Sequence, residues 1–128
     1  MLTEILNRAM RLFCVLCVVS ILTGCNPCSD EVLSEVHSPD GVMTATLFIR
    51  DCGATTDFSS IVSIHRKGRG FRSEDDRVFV AKGRHDFDIT WTGPNALMIR
   101  CGNCAPKEVF RQTAKLGKID ISFDQDSK

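Results

Sequence analysis

The sequence predicts an all-β fold, a single antiparallel β-sandwich or meander of about seven strands. Three observations predict it. Apolar and polar residues alternate over short runs, which is the period of a half-buried strand. Turn signals separate those runs at near-regular spacing. Beyond residue 24 the chain has little helical periodicity and no alternation of strand and helix patterns, as a parallel α/β sheet would need.

The elements follow in order. Glu31 to His37, E-V-L-S-E-V-H, reads as a first strand. Ser38-Pro39-Asp40-Gly41 then reads as a turn: proline sets φ, aspartate tolerates the bend and glycine supplies the left-handed residue. In V-M-T-A-T-L-F-I-R, Met43, Ala45, Leu47 and Ile49 share one face, and Val42, Thr44, Thr46 and Phe48 the other. F-S-S-I-V-S-I-H (58–65) and V-F-V-A (78–81) are strands on either side of a long polar loop, Lys67 to Arg77. D-F-D-I-T-W-T is the clearest strand, with Phe87, Ile89 and Trp91 alternating against Asp86, Asp88, Thr90 and Thr92. Gly93-Pro94-Asn95 turns it into A-L-M-I-R-C (96–101). V-F-R-Q-T-A (109–114) and K-I-D-I-S-F (118–123) complete the set, with a short turn at Leu116-Gly117-Lys118. S-P-D-G before an alternating strand also suits a propeller blade, but this length holds too few blades to close a propeller.

The N-terminal segment reads differently. Arg8 and Arg11 outweigh Glu4, and an apolar run from Leu12 to Leu22 follows. That is the length of a signal-peptide core, short of the roughly 20 residues of a spanning helix. Met10 is an alternative start, giving a more compact signal. The run ends in Leu22-Thr23-Gly24-Cys25, which resembles the lipobox of bacterial lipoproteins: an aliphatic residue, two small ones, then cysteine. The resemblance implies cleavage before Cys25 and a diacylglycerol on its sulfur. Asn26, rather than aspartate, favours the outer membrane over the inner by analogy with enterobacterial sorting. Residues 1–24 are thus expected to be a lipoprotein signal peptide, 25–29 a lipidated cysteine and short tether, and 30–128 one β domain.

The full chain carries 16 basic and 16 acidic residues. Without Arg8, Arg11 and Glu4 the counts become 14 and 15. That balance gives no bulk attraction for nucleic acid, and none is expected as a partner. Of seven cysteines, Cys14 and Cys17 fall in the signal and Cys25 takes lipid. Cys28, Cys52, Cys101 and Cys104 remain, an even number that reads as disulfides in an exported domain. Three connectivities are possible; the simplest pairs Cys101 with Cys104 and Cys28 with Cys52. Cys25 would then be the anchor and Cys28 the clamp.

S-P-D-G, the strand after it, R-D-C-G-A-T-T-D-F-S-S-I-V-S-I and V-F-V-A together resemble a family of small uncharacterised bacterial lipoproteins. The likeness is strongest from Val36 to Ile64 and continues loosely to Phe123. It implies an exported, one-domain, mostly β protein, and no activity or catalytic residues. The C-G-N-C at 101–104 stands outside the family pattern.

That C-G-N-C is the sharpest chemical lead. A Cys-x-x-Cys exchanges disulfides when one thiol has a lowered pKa, which Arg100 and Lys107 would favour. No amphipathic helix follows it, so a local staple with a tight Gly102-Asn103 turn is the preferred reading. Haem attachment fails because Ala105 stands where histidine is needed. A zinc site built from all four cysteines does not suit an oxidising envelope, and neither a metal nor a cofactor is expected. Thr55, Thr56 and Asp57 form a candidate ligand loop that lacks the lysine and spacing of a phosphate loop; a structured turn fixed by Cys52 is preferred. The basic run His65 to Arg72 reads as a solvated loop, with contact to anionic lipid the alternative. His37, His65 and His85 are scattered, and His85 and Asp86 would point to opposite strand faces. Trp91 is expected in the core. The resulting expectation is a non-enzymatic envelope lipoprotein, bound to the membrane through its lipid, that binds or supports another envelope protein. The alternatives are a thiol–disulfide redox protein using Cys101 and Cys104, and a small inhibitor of an envelope enzyme.

Overall fold

The computed structural model describes residues 1–21 and 28–126, with side chains described over 1–15 and 28–124. A helix, α1, spans Leu2–Ile21. Among the described residues no helix is long and apolar enough to cross a membrane. Cys25 and the rest of the lipobox motif beyond Ile21 lie outside the described residues.

Among the described residues nine strands follow: β1 (Ser29–His37), β2 (Met43–Asp51), β3 (Ser59–Arg66), β4 (Arg77–Lys82), β5 (Asp86–Gly93), β6 (Ala96–Gly102), β7 (Val109–Gln112), β8 (Lys115–Leu116) and β9 (Ile119–Asp126). They form two sheets, a five-stranded one in the order β1-β2-β3-β4-β7 and a four-stranded one in the order β5-β6-β9-β8. The expected all-β sandwich is therefore what forms, and each of the eight runs read above corresponds to a strand. The addition is β8, a two-residue strand hairpinned onto β9 through Gly117, whose φ is +58°.

One pairing departs from the antiparallel expectation. β6 and β9 run parallel, from Ala96 opposite Asp120 to Gly102 opposite Asp126. The cause is the path between them. After β6 the chain crosses to the other sheet, runs back along β4 as β7, and returns through β8. β9 therefore starts from the same end of the sandwich as β6.

The core lies between the sheets and is built from Ala45, Leu47, Val62, Ile64, Val78, Phe79 and Ala81 on one side and Leu97, Ile99, Ile119 and Ile121 on the other. Phe87, Ile89 and Trp91 pack against it half-buried, and β5 shows the expected alternation of exposed and covered residues. Trp91 closes one side of the sandwich: its indole N–H donates to the Val36 carbonyl of β1 at 2.9 Å. That carbonyl is free to accept across the sheets because β1 is an edge strand, paired only with β2.

The second face of β2 is also buried: Thr44, Thr46 and Phe48 are at most 2 % exposed. The cover is the loop between β3 and β4. The Phe71 ring packs on Phe48 at 4.8 Å, and Ser63 Oγ donates to the Phe71 carbonyl at 2.8 Å. This corrects the expectation of a solvated basic run at two residues, while Arg66 to Gly70 and Arg72 are exposed as expected. Lys67 to Gly70 form an exposed tip, whereas His65 is buried and Phe71 half-buried. Phe48 and Ile61, neighbours in the β2–β3 register, make an apolar patch outside the main core, and the loop folds back to exclude water from it.

Candidate functional site

The strands give the molecule two ends, and each holds a candidate site. At one end sit the start of β1, the end of β2 and the β4–β5 and β6–β7 connections; at the other sit the turns at Ser38–Gly41, Gly93–Asn95 and Leu116–Lys118 and the tip of the β3–β4 loop.

The second end forms a half-open cleft of about 920 Å³. Met43, Ile64, Leu116 and Ile119 supply apolar lining, while Asp40, Asp75, Asp76, Arg66, Arg69 and Lys118 carry both signs of charge around it. The Ser38-Pro39-Asp40-Gly41 turn is as the sequence predicts: Gly41 has φ +73° and its N–H donates to the Ser38 carbonyl at 2.8 Å. Ser38 Oγ donates to Asp40 Oδ1 at 2.6 Å and the Val42 N–H donates to the same oxygen at 3.1 Å. These two bonds, the serine's first, hold the Asp40 carboxyl below the usual carboxylate range and keep it ionised at the rim.

His65 and Ser73 both line the cleft. Both ring nitrogens of His65 are engaged. Nδ1 donates to the Arg66 carbonyl at 3.0 Å, since a carbonyl only accepts, and Nε2 then accepts from the Thr46 hydroxyl at 2.8 Å. This histidine has no lone pair to offer Ser73 as a general base. His37 is likewise tied to Thr44 Oγ1, at 2.8 Å.

The first end holds the cysteines. The structure pairs Cys28 with Cys52 and Cys101 with Cys104, the simplest of the three connectivities. Asn103 takes φ +63° in the C-G-N-C turn, the left-handed conformation that asparagine tolerates. Cys101 is 2 % and Cys104 7 % exposed, and only a three-residue 3-10 turn, Pro106–Glu108, follows. The motif is thus an inward-facing staple rather than a thiol pair at a helix N-terminus.

The candidate ligand loop is a self-contained turn. Gly53 (φ +112°) donates its N–H to Asp51 Oδ1 at 3.0 Å, and the Thr56 hydroxyl and N–H both donate to the Gly53 carbonyl at 3.2 Å. Asp57 pairs with Lys82 at 2.8 Å. Thr55, Thr56 and Asp57 line neither the cleft nor the cavity near the cysteines.

Two constellations escape a linear reading. His85 comes beside the cysteine pair, with one donor atom from each of His85, Cys101 and Cys104 within 4.8 Å of the others. The strand register produces this, because Asp86 opposes Gly102 across β5 and β6. Counting outward from the Gly93-Pro94-Asn95 turn would have found it. The other is an ion cluster on the outer face of the larger sheet. Arg50 makes two bonds to Asp30, Nε to Oδ1 at 2.8 Å and Nη2 to Oδ2 at 2.9 Å, and Arg72 Nε adds a third at 3.0 Å. The Asp30 side chain is only 4 % exposed. The Arg50 hydrogen bond in the first place, and Arg72 with it, hold the Asp30 carboxyl below the usual range against the opposing effect of burial.

That shift makes a stability prediction. A depressed carboxyl pKa stabilises the fold above the unfolded value of about 3.9, and the contribution is lost as pH falls through the lower folded value. Asp30→Asn removes it at all pH values and leaves Arg50, 21 % exposed, short of its partner. The expected loss is about 2–3 kcal/mol at neutral pH, with the Arg72 bond discounted because that side chain is 68 % exposed. Urea unfolding over a series from neutral pH down to about pH 1 checks this: the two proteins should differ most at neutral pH, less as pH falls below the unfolded value, and converge only below the folded one. A constant gap would assign the loss to packing instead.

No family model matches the chain, and neither a curated protein nor a solved structure matches it.

Proposed function

We propose that the chain is a lipid-anchored cell-envelope module without enzymatic activity, which binds another envelope component in its end cleft. The observation that supports the reading is that the Cys28–Cys52 disulfide and the cleft lie at opposite ends of the sandwich. Cys28 opens β1, three residues after Cys25, and is fixed to Cys52 at the end of β2. The nine residues of β1 then carry the chain to His37, beside the turn that forms the cleft rim. At about 3.3 Å per residue this separates Cys28 from the cleft by about 25–30 Å. A lipid on Cys25 would hold the closed end toward the bilayer and leave the cleft in the aqueous space. Apolar lining under charges of both signs suits a protein surface better than a small anion or a nucleic acid. The engaged ring nitrogens of His65 support a binding role over hydrolysis, and C-G-N-C opens no helix that would lower a thiol pKa, which disfavours catalytic disulfide exchange. Asn26 favours the outer membrane's periplasmic face by analogy with enterobacterial sorting.

The test has two arms. Metabolic palmitate labelling and envelope fractionation should place the protein in the membrane fraction, and Cys25→Ser should abolish labelling and leave it soluble. A photoreactive residue at Lys118 or Arg69, on the cleft, should give discrete protein adducts in living cells, whereas one at the exposed Lys107 near the tether should not. Unlabelled Cys25 overturns the anchor, and equal or absent adducts at the two ends overturn the cleft. An adducted partner that is an enzyme would favour the inhibitor reading.

A further inference from the structure

The grouping of His85 with Cys101 and Cys104 has no role in the binding reading. Its three donors, two thiolates and an imidazole, are of the types that hold zinc, and Cys-x-x-Cys is the spacing of a zinc half-site. We propose that reduction of the Cys101–Cys104 disulfide creates a Zn²⁺ site from the two thiolates and the His85 imidazole, so that the staple and the metal are alternative closures of the same corner.

Three observations support it. First, the donor atoms already lie within 4.8 Å of one another. Tetrahedral Zn–S and Zn–N bonds of about 2.3 and 2.0 Å need donor separations of about 3.5–3.8 Å, so small side-chain adjustments suffice once the sulfurs part. Second, the imidazole is oriented by neighbours. Its Nε2–H donates to the Lys82 carbonyl at 2.6 Å, and Glu108 Oε2 stands 3.6 Å from the same nitrogen while accepting from the Ala105 N–H at 3.3 Å. With Nε2 protonated, Nδ1 carries the lone pair. Carbonyl and carboxylate partners on a ligand histidine are a recurrent feature of zinc sites and raise its basicity. Third, open space adjoins the His85 side of the corner. A cavity of about 290 Å³ is lined by His85, Gly102 and Asn103 together with Leu33, Ile49 and Arg84.

The chemistry balances. A dithiol reductant of the thioredoxin class gives two electrons and two protons to the disulfide, yielding two thiols and its own disulfide. Zn²⁺ then displaces one proton from each thiol and takes the neutral imidazole as a third ligand. Three protein donors leave one position for water. In the oxidised chain the sulfurs are spent on each other and no site exists. Cys28 and Cys52 take no part in the grouping, which distinguishes it from a four-cysteine centre.

The test uses the full chain in detergent, with Co²⁺ and then Zn²⁺ as probes. After reduction, about one equivalent of Co²⁺ should bind with a thiolate charge-transfer band and the visible bands of tetrahedral cobalt. The oxidised chain should give neither. The signal should survive in Cys28→Ser/Cys52→Ser, vanish in Cys101→Ser/Cys104→Ser, and weaken at least about tenfold in affinity in His85→Ala. A readout free of substitution guards against misfolded variants: in the reduced wild-type chain, Zn²⁺ should slow alkylation of Cys101 and Cys104 at least about tenfold, mapped by peptide mass spectrometry, and leave Cys28 and Cys52 unchanged. Cobalt binding that ignores His85, or zinc that fails to protect Cys101 and Cys104, overturns the site.

Discussion

Phe79→Ala should destabilise the protein by about 3–5 kcal/mol, the range for deleting a fully buried phenylalanine. Phe79 is 1 % exposed in the middle of β4, and it meets two rings of the opposite sheet. Phe87 of β5 stands edge-on at 5.5 Å and 78°, and Phe123 of β9 is tilted at 5.8 Å and 32°. Truncation removes a contact that joins the two sheets and leaves a cavity between elements whose backbone ladders resist collapse. A domain of this size has about 5–15 kcal/mol in total, so the variant should be near the limit of folding. Phe79→Leu should lose much less, because most of the volume is kept. Phe110→Ala, at a side chain 68 % exposed, should change stability by less than about 0.5 kcal/mol. Urea unfolding checks all three. The Phe79→Ala/Phe87→Ala double variant should show a coupling of about 1 kcal/mol, since both singles break the same ring contact. A loss below about 1 kcal/mol for Phe79→Ala would mean that the sheets do not share this core.

The same contacts explain what the sequence could and could not disclose. β5 is legible because one face meets the core and the other meets solvent, so Phe87, Ile89 and Trp91 stand out by alternation. β2 is legible as a strand but not in its environment. Thr44, Thr46 and Phe48 look like an outer face, but they are buried: Phe71 returns over Phe48, and His37 and His65 bond Thr44 and Thr46. One aromatic residue in a run of arginine, lysine and glycine carries no period from which such a cover could be read. The parallel partnership of β6 and β9 depends on β7 joining the other sheet, a choice made by packing far along the chain. Among the site residues, C-G-N-C is visible by spacing, whereas His85 reaches it only through hairpin register. The cleft draws on several separate connections and has no linear signature. Asp30 and Arg50 are paired by the β1–β2 register, but the irregularity between Val32 and Ser34 shifts the count from the Ser38–Gly41 turn by one residue.

That irregular edge strand is where the second large effect should appear. Removing the longer disulfide, as Cys28→Ser/Cys52→Ser, should cost about 3–3.5 kcal/mol by the chain-entropy argument for its sequence separation of 24. The same argument gives roughly half as much for Cys101 and Cys104, separated by 3. The structural consequence should also be local. β1 is an edge strand whose side chains are mostly exposed, so the ladder to β2, the Asp30–Arg50 pair and the disulfide hold its first half in place. Without the cross-link, Ser29 to Ser34 should open below the global transition, seen as faster amide exchange there with the β6–β9 amides unchanged. Opening would bare the β2 edge, whose Leu47, Phe48 and Ile49 form a continuous apolar run, and the variant should aggregate at concentrations where the parent does not. Asp30→Asn in the same background should add less than it does alone, because a frayed β1 has already lost the ion cluster. If the double variant keeps its exchange pattern and loses less than about 1 kcal/mol, β1 is held by its ladder alone, and the clamp serves only to fix the distance between the domain and Cys25.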